Sequence, residues 1–329
     1  MQRRTFRDST VSAVGLGCWS FGAAYGPTTD GESLRTLHAA LEIGVDFWDT
    51  ANVYGNGRSE SVIGRFFAET PGAREKVTLA TKFAIRRQAD GRRVFDNSAA
   101  HMRESLDASL KRLGVERIDL YYVHRVDMSL PVEDTMGELA RHVEAGKIGG
   151  VGLSEVAPDT VRRAHAVHPV AAVQSEYSLW TRNPELGLLQ ACAETGALFV
   201  AFSPLGRGAF TGDLQQSETF EADDFRSLVP RFAGLNWRRN RDRLEAYFDY
   251  ARRLGVKPAT LSLAWILAKA PNIAPIPGTR SAQHLKDCAE AAALQLTPGQ
   301  MAEIEALLPP GFAAGERYGE GQWVGVQRY

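Results

Sequence analysis

The chain has 329 residues, a formal net charge of -1, 44% hydrophobic and 23% charged residues; that length suits one large α/β barrel or two ordinary domains, and near-neutrality argues against nucleic acid or an anionic membrane surface as main partner. No apolar run approaches the roughly 18 residues of a membrane span, and Met1-Gln2-Arg3-Arg4-Thr5-Phe6 leads into no signal-peptide core. Cys18, Cys192 and Cys288 lie far apart, without metal-ligand spacing or an even count, so a cytoplasmic protein with neither metal nor disulfide framework is expected.

Strand-like and helix-like segments alternate along nearly the whole chain. A short N-terminal run, Thr10-Val11-Ser12-Ala13-Val14, leads to Gly15-Leu16-Gly17, with a β-hairpin expected at this end. A helix near 31–43 follows, with Leu34, Leu37, His38 and Leu41 at i, i+3, i+4, i+7. Gly44-Val45-Asp46-Phe47-Trp48 ends at Asp49 and precedes a helix near 59–69; Val77-Thr78-Leu79-Ala80-Thr81 ends at Lys82 and precedes one near 98–112. Ile118-Asp119-Leu120-Tyr121-Tyr122-Val123 ends at His124, before a helix near 132–145 opened by Pro131 and closed by Gly146.

Four further units end at Ser154, Gln174, Phe202-Ser203 and Pro277-Gly278-Thr279-Arg280, with helices near 158–167, 184–194 and 281–292. An irregular stretch, about 205–240, follows the seventh strand and has the length of a lid or binding loop; helices near 240–254 and 258–269 come after it. Eight strand-then-helix units predict a (β/α)₈ barrel spanning 1–329 as a single domain, with its active site at the C-terminal rim of the strands.

Seven of these units carry a functional candidate at the strand end: Asp49, Lys82, His124, Ser154, Gln174, Phe202 and Arg280. Taken singly, each has an ordinary reading: a surface lysine, a capping Asp, a loop Tyr54, a core histidine. Together a phenol, an ammonium, a carboxylate and an imidazole at one rim make a proton-transfer site. A free phenol, pKa about 10, is a weak acid at neutral pH, and a buried ammonium within reach is expected to pull that value down. Asp49 would hold Lys82 charged, and His124 would orient a substrate oxygen beside Tyr54. No Tyr stands four residues before a Lys, and there is no Gly-x-Gly-x-x-Gly after a strand, no Walker A lysine and no His-Glu-x-x-His pair.

Gly44-Val45-Asp46-Phe47-Trp48-Asp49-Thr50-Ala51-x-x-Tyr54-Gly55, Thr81-Lys82 and His124 resemble the aldo-keto reductase tetrad. The likeness continues through Gly152-Leu153-Ser154-Glu155, Gln174-Ser175-Glu176-Tyr177, Phe202-Ser203-Pro204-Leu205-Gly206-Arg207-Gly208 and Pro277-Gly278-Thr279-Arg280-Ser281, over roughly residues 10 to 310. It implies an NADP(H)-dependent enzyme that reversibly reduces a small aldehyde or ketone, with Tyr54 as general acid/base, Lys82 and Asp49 as its tuning pair, and His124 orienting the substrate. It further implies Ser154 and Gln174 on the nicotinamide carboxamide and Phe202 stacked on the ring. Ser203, Leu205 and Arg207 would follow the pyrophosphate path, Arg280 would face the adenosine 2′-phosphate with His284 beside it, and Gly278 and Thr279 would also belong to the cofactor site. Asp287 stands at the adenine position beside Cys288, where an amide is common, and Glu155 where Asn is common. Trp19, Tyr25, Trp48 and Arg125 are expected to line the substrate mouth. Two other readings use the same residues: an NADPH-binding regulatory protein with little turnover, and a Schiff-base lyase acting through Lys82.

Overall fold

The structure, a computed structural model, describes residues 1–87 and 93–327. Strands β1 (Arg3–Phe6) and β2 (Ser9–Ser12) form an antiparallel hairpin. Eight parallel strands then build one sheet: β3 (Leu16–Gly17), β4 (Phe47–Asp49), β5 (Thr78–Phe83), β8 (Leu120–Val123), β9 (Val151–Ser154), β10 (Val170–Glu176), β11 (Leu198–Phe202) and β12 (Ile273–Pro275). The sheet closes on itself between its first and last strands, where Gly17 bridges Gly278 and the amides of Gly15 and Gly17 donate to Pro275 O (2.9 Å) and Pro277 O (3.0 Å). The closed parallel barrel is the expected fold, and the hairpin lies where the sequence placed it.

Helices α1 (Asp30–Ile43), α2 (Arg58–Glu69), α3 (Ala99–Leu113), α4 (Val132–Glu144), α5 (Pro158–Val167) and α6 (Leu188–Thr195) each return the chain to the next strand. α7 (Gly234–Arg253) and α8 (Pro258–Lys269) both lie between β11 and β12, and α9 (Ala282–Ala289) and α10 (Pro298–Leu307) complete the chain. Caps fix many of these boundaries: Thr29 and Glu32 form a capping box on α1, and Gly44 ends that helix in a left-handed conformation. α7 starts about six residues earlier than its sequence periodicity suggested, because five arginines between 238 and 252 dilute the apolar signal of Trp237, Leu244 and Tyr247. A further hairpin, β6 (Ile85–Arg87) with β7 (Arg93–Phe95), and helix α10 were not foreseen.

Side-chain alternation separates two apolar layers. Phe47, Ala80, Leu120, Tyr122, Ala172, Leu198, Val200 and Ala274 fill the barrel, and Phe6 and Val11 of the N-terminal hairpin pack with them. The residues of opposite parity, among them Trp48, Leu79, Phe83, Tyr121 and Phe199, face the surrounding helices. Gly152 belongs to this inner layer by necessity: a Cβ there would lie 2.3 Å from the Tyr122 ring. Inward parity continues to the rim, so Asp49, Lys82, His124, Ser154, Gln174 and Phe202 stand two residues beyond Phe47, Ala80, Tyr122, Gly152, Ala172 and Val200.

Candidate active site

At the end of β5, the Lys82 ammonium is fully buried. It is ion-paired to the Asp49 carboxylate from the end of β4, donates to Thr50 O at 2.7 Å, and approaches Tyr54 Oη at 3.4 Å. The other oxygen of Asp49, Oδ2, accepts from Gln174 Nε2 at 2.8 Å, which ties strand β10 to the pair. Tyr54 sits in the turn between β4 and α2, with its ring edge-on to His124 at 5.9 Å between centroids. His124 continues β8 through its own amide, bonded to Phe83 O. Asp49 and Tyr54, from neighbouring positions of one strand-to-helix connection, therefore meet Lys82 and His124 at one point of the rim.

Burial works on each group in the direction that favours its neutral form. It pushes Lys82 down and Asp49 up, and each partner's charge opposes the change in the other. Burial lowers His124 well below the ordinary imidazole range, with Lys82, Arg125 and Arg93 adding to it, so the ring is neutral at pH 7. Tyr54 departs from expectation. Burial raises its pKa well above the ordinary phenol value, Asp49 adds to the rise, and Arg125 opposes it. The carboxylate that anchors Lys82 thus also disfavours a phenolate, and Tyr54 holds its proton throughout the neutral range.

A cavity of about 590 Å³ opens over this cluster. One wall is Trp19, Tyr25 and Phe225, joined by edge-on ring contacts at 5.1 and 4.8 Å and by a hydrogen bond from the Phe225 amide to Ala24 O. Phe95 of the β6–β7 hairpin and Tyr318, Gln322 and Val324 of the C-terminal segment form another. Arg125 links them to the rim, donating to His124 O (2.7 Å), Ser154 Oγ (3.3 Å) and Tyr318 Oη (3.3 Å). Among the described residues no cluster of three or more His, Cys, Asp or Glu could hold a metal, and no helix is long and apolar enough to cross a membrane.

The profile of the aldo/keto reductase family matches residues 13–309. The chain belongs to the aldo/keto reductase family. It is 39% identical over 322 residues to the aldo-keto reductase yakc [NADP(+)] of Schizosaccharomyces pombe, covering 97% of this chain and 94% of that one. It is 40% identical over 312 residues to a probable aldo-keto reductase 1 of Glycine max, covering 94% and 89%. Among solved structures, a glycerol dehydrogenase from Gluconobacter oxydans superimposes with a TM-score of 0.84 at 29% identity, covering 93% and 94% of the two chains.

Within this reductase fold the remaining candidates divide. Ser154, Gln174, Phe202, Ser203, Leu205, Arg207 and Gly278 line the cavity, as do Trp19, Tyr25 and Arg125. Thr279, Arg280 and His284 lie beyond it around the start of α9, and Asp287 in that helix's last turn. Arg280 is held by a bond to Gly26 O (3.0 Å), His284 is exposed, and Asp287 is paired to Lys257 (2.5 Å). Cys288 turns into the core. Trp48 is the clear misplacement. It is fully buried behind the barrel wall, stacked on Phe67 with its indole N–H bonded to Val45 O at 2.8 Å. Adjacent strand residues point to opposite faces, so a side chain next to the inward Asp49 cannot reach the mouth.

A buried ionic cluster escaped sequence reasoning. Glu176 pairs with Arg207 (2.8 Å) and Arg317 (3.4 Å), and Arg317 also pairs with Glu155 (2.5 Å). Burial opposes the charge on Glu176, yet Arg207, Arg317 and Arg231 together hold it below the usual carboxylate range. Glu155, the departure from the common Asn, therefore anchors the C-terminal segment: its backbone carbonyl also accepts from the Gln327 amide at 3.0 Å. Arg207 reaches the cavity wall with its charge already engaged. Nothing in the sequence pattern points to Arg317 or Tyr318, because their partners lie about 140 to 190 residues away.

Proposed function

We propose that this protein is an NADPH-dependent carbonyl reductase in which Tyr54 delivers the proton. The observation that carries this reading is the contact of the buried Lys82–Asp49 pair with Tyr54 Oη, beside a neutral His124 and open to one cavity. The residues present fit the cofactor. Phe202 offers a half-buried ring at the cavity wall, and Gln174 keeps its amide oxygen for a carboxamide N–H while its nitrogen serves Asp49. Arg280 gives a fixed guanidinium suited to a 2′-phosphate. The relative from Schizosaccharomyces pombe, named for NADP(+), supports the same choice.

When bound, NADPH supplies the hydride to the carbonyl carbon. His124 donates a hydrogen bond to the carbonyl oxygen and fixes it toward Tyr54. As negative charge grows on that oxygen, it becomes more basic than a phenolate, and Tyr54 gives up the proton it retains at neutral pH. The phenolate left behind faces the Lys82 ammonium, which offsets its charge. Asp49, Thr50 O and Gln174 keep that ammonium in place. An amine engaged with a carboxylate and a carbonyl is a poor Schiff-base nucleophile, which turns the reading away from a lyase.

The test is NADPH consumption with a reactive aldehyde. Tyr54→Phe should lower kcat by at least ~10²-fold while the variant still quenches NADPH fluorescence. A Phe variant within a few-fold of the native rate removes Tyr54 from the role. NADPH binding without turnover in the native protein favours the regulatory reading. An aldehyde adduct on Lys82 after borohydride, formed without NADPH, favours the lyase.

A further inference from the structure

The charge balance of the cavity says which carbonyl compounds it suits. Among its lining residues, Arg207 is neutralised by Glu176 and Arg226 by Asp224 at 2.6 Å, while Arg93 and the carboxylate of Asp223 stand exposed at its edge. Arg125 differs: it is half-buried, and among the described residues it forms no ion pair. Its three bonds go to a carbonyl and two hydroxyls, two of them from Nη1 and one from Nη2. A guanidinium has five N–H donors, so Nε–H and one Nη2–H remain to donate to the two oxygens of a carboxylate.

The surroundings add to the same bias. Lys82, Arg93 and Arg125 all exert a positive field at His124, and the carboxylate of Asp49 is already paired to Lys82. Tyr318 and Phe95 line the cavity together with Arg125, which is itself half-buried, and partial burial strengthens a charge-assisted bond made there. We infer that Arg125 is a specificity residue that recognises a carboxylate on the substrate, so that the preferred substrates are aldehydes or ketones bearing an acid group. This rests on the reductase reading above and goes beyond it in naming the substrate class.

The test compares paired substrates, one with a carboxylate and one in which it is esterified or replaced by a methyl group. The full-length protein with saturating NADPH is assayed on terephthalaldehydic acid against its methyl ester, and on succinic semialdehyde against butanal. The expected ratio of kcat/KM, acid over neutral partner, is at least about tenfold, from one charge-assisted bond. It should shrink as salt is added. In Arg125→Gln the ratio should collapse toward one whatever happens to the absolute rates, and Arg125→Lys should keep an intermediate value. The effect should appear mainly in KM.

A native ratio of one or less overturns the inference while leaving the reductase standing. So does a ratio that survives Arg125→Gln, or a large loss of NADPH affinity in that variant with the ratio intact, since Arg125 would then serve the cofactor. No NADPH-dependent turnover of any of the four compounds overturns the reductase reading itself, and the inference with it.

Discussion

Replacing Lys82 by Met probes the buried ion pair directly, because the two side chains have similar length while the charge and the ammonium's hydrogen bonds, including that to Thr50 O, are lost. In the variant the Asp49 carboxylate stays buried, with Gln174 Nε2 as its remaining hydrogen-bond donor. Breaking a buried pair from one side costs about 3–5 kcal/mol. A second route sets an independent ceiling. The carboxyl can take up a proton instead, and doing so at pH 7 from an unfolded pKa of about 3.9 costs about 4 kcal/mol. The two agree, so Lys82→Met should lose about 4 kcal/mol of stability at pH 7.

The sign of the pH dependence follows. In this variant burial raises the folded pKa of Asp49 above its unfolded value, so the unfolded state releases the proton first as pH rises. The penalty therefore grows with pH and fades in acid, to about 1–2 kcal/mol at pH 5. Adding Asp49→Asn removes the charge and should restore most of the loss, although neither variant should reduce aldehydes well. Urea unfolding at pH 5 and pH 7 measures all three proteins. A Lys82→Met penalty below about 1 kcal/mol at pH 7, or a double variant no more stable than the single one, would refute the buried-charge argument.

Three other outcomes are expected. Arg280→Ala should erase most of a preference for NADPH over NADH, about 1.5–3 kcal/mol for a charge-assisted bond, and equal dissociation constants in the native protein would count against a 2′-phosphate contact. Trp48→Phe should lower stability by about 1–3 kcal/mol through its lost bond to Val45 O and lost volume, yet leave KM for small aldehydes unchanged; a selective rise in KM would return Trp48 to the mouth. Because burial holds His124 well below its ordinary value, kcat for reduction should be flat from pH 6.5 to 8, and an acid limb near pH 6.5 that disappears in His124→Asn would contradict a neutral imidazole.

Helix α10, which was not foreseen, and the burial of Trp48, which was misplaced, both had local signals in the sequence. Thr297 and Gln300 form a capping box around Pro298 at the helix start, a local signal of the kind that sets boundaries elsewhere in the chain. Strand parity alone excludes Trp48 from the mouth once Asp49 is assigned inward. The tetrad was also local in the useful sense. Each member sits at the end of an apolar run, and parallel strands with helical returns bring all such ends to one rim.

What the sequence determined was thus what periodicity and strand direction carry: eight units, their order, and which residues emerge at the shared edge. Tertiary structure decided the rest. Strand closure at Gly17 and Gly278, the pairing of Arg317 with Glu155 and Glu176, and the approach of Tyr318 to Arg125 all join residues with no common repeat or spacing. The protonation state of Tyr54 belongs to this second group. Spacing placed an ammonium beside the phenol and suggested a lowered pKa, but the sign of the shift depends on how much water the fold removes. Burial and the charge of Asp49 outweigh the opposing charge of Arg125, and neither effect can be read until the barrel has closed around them.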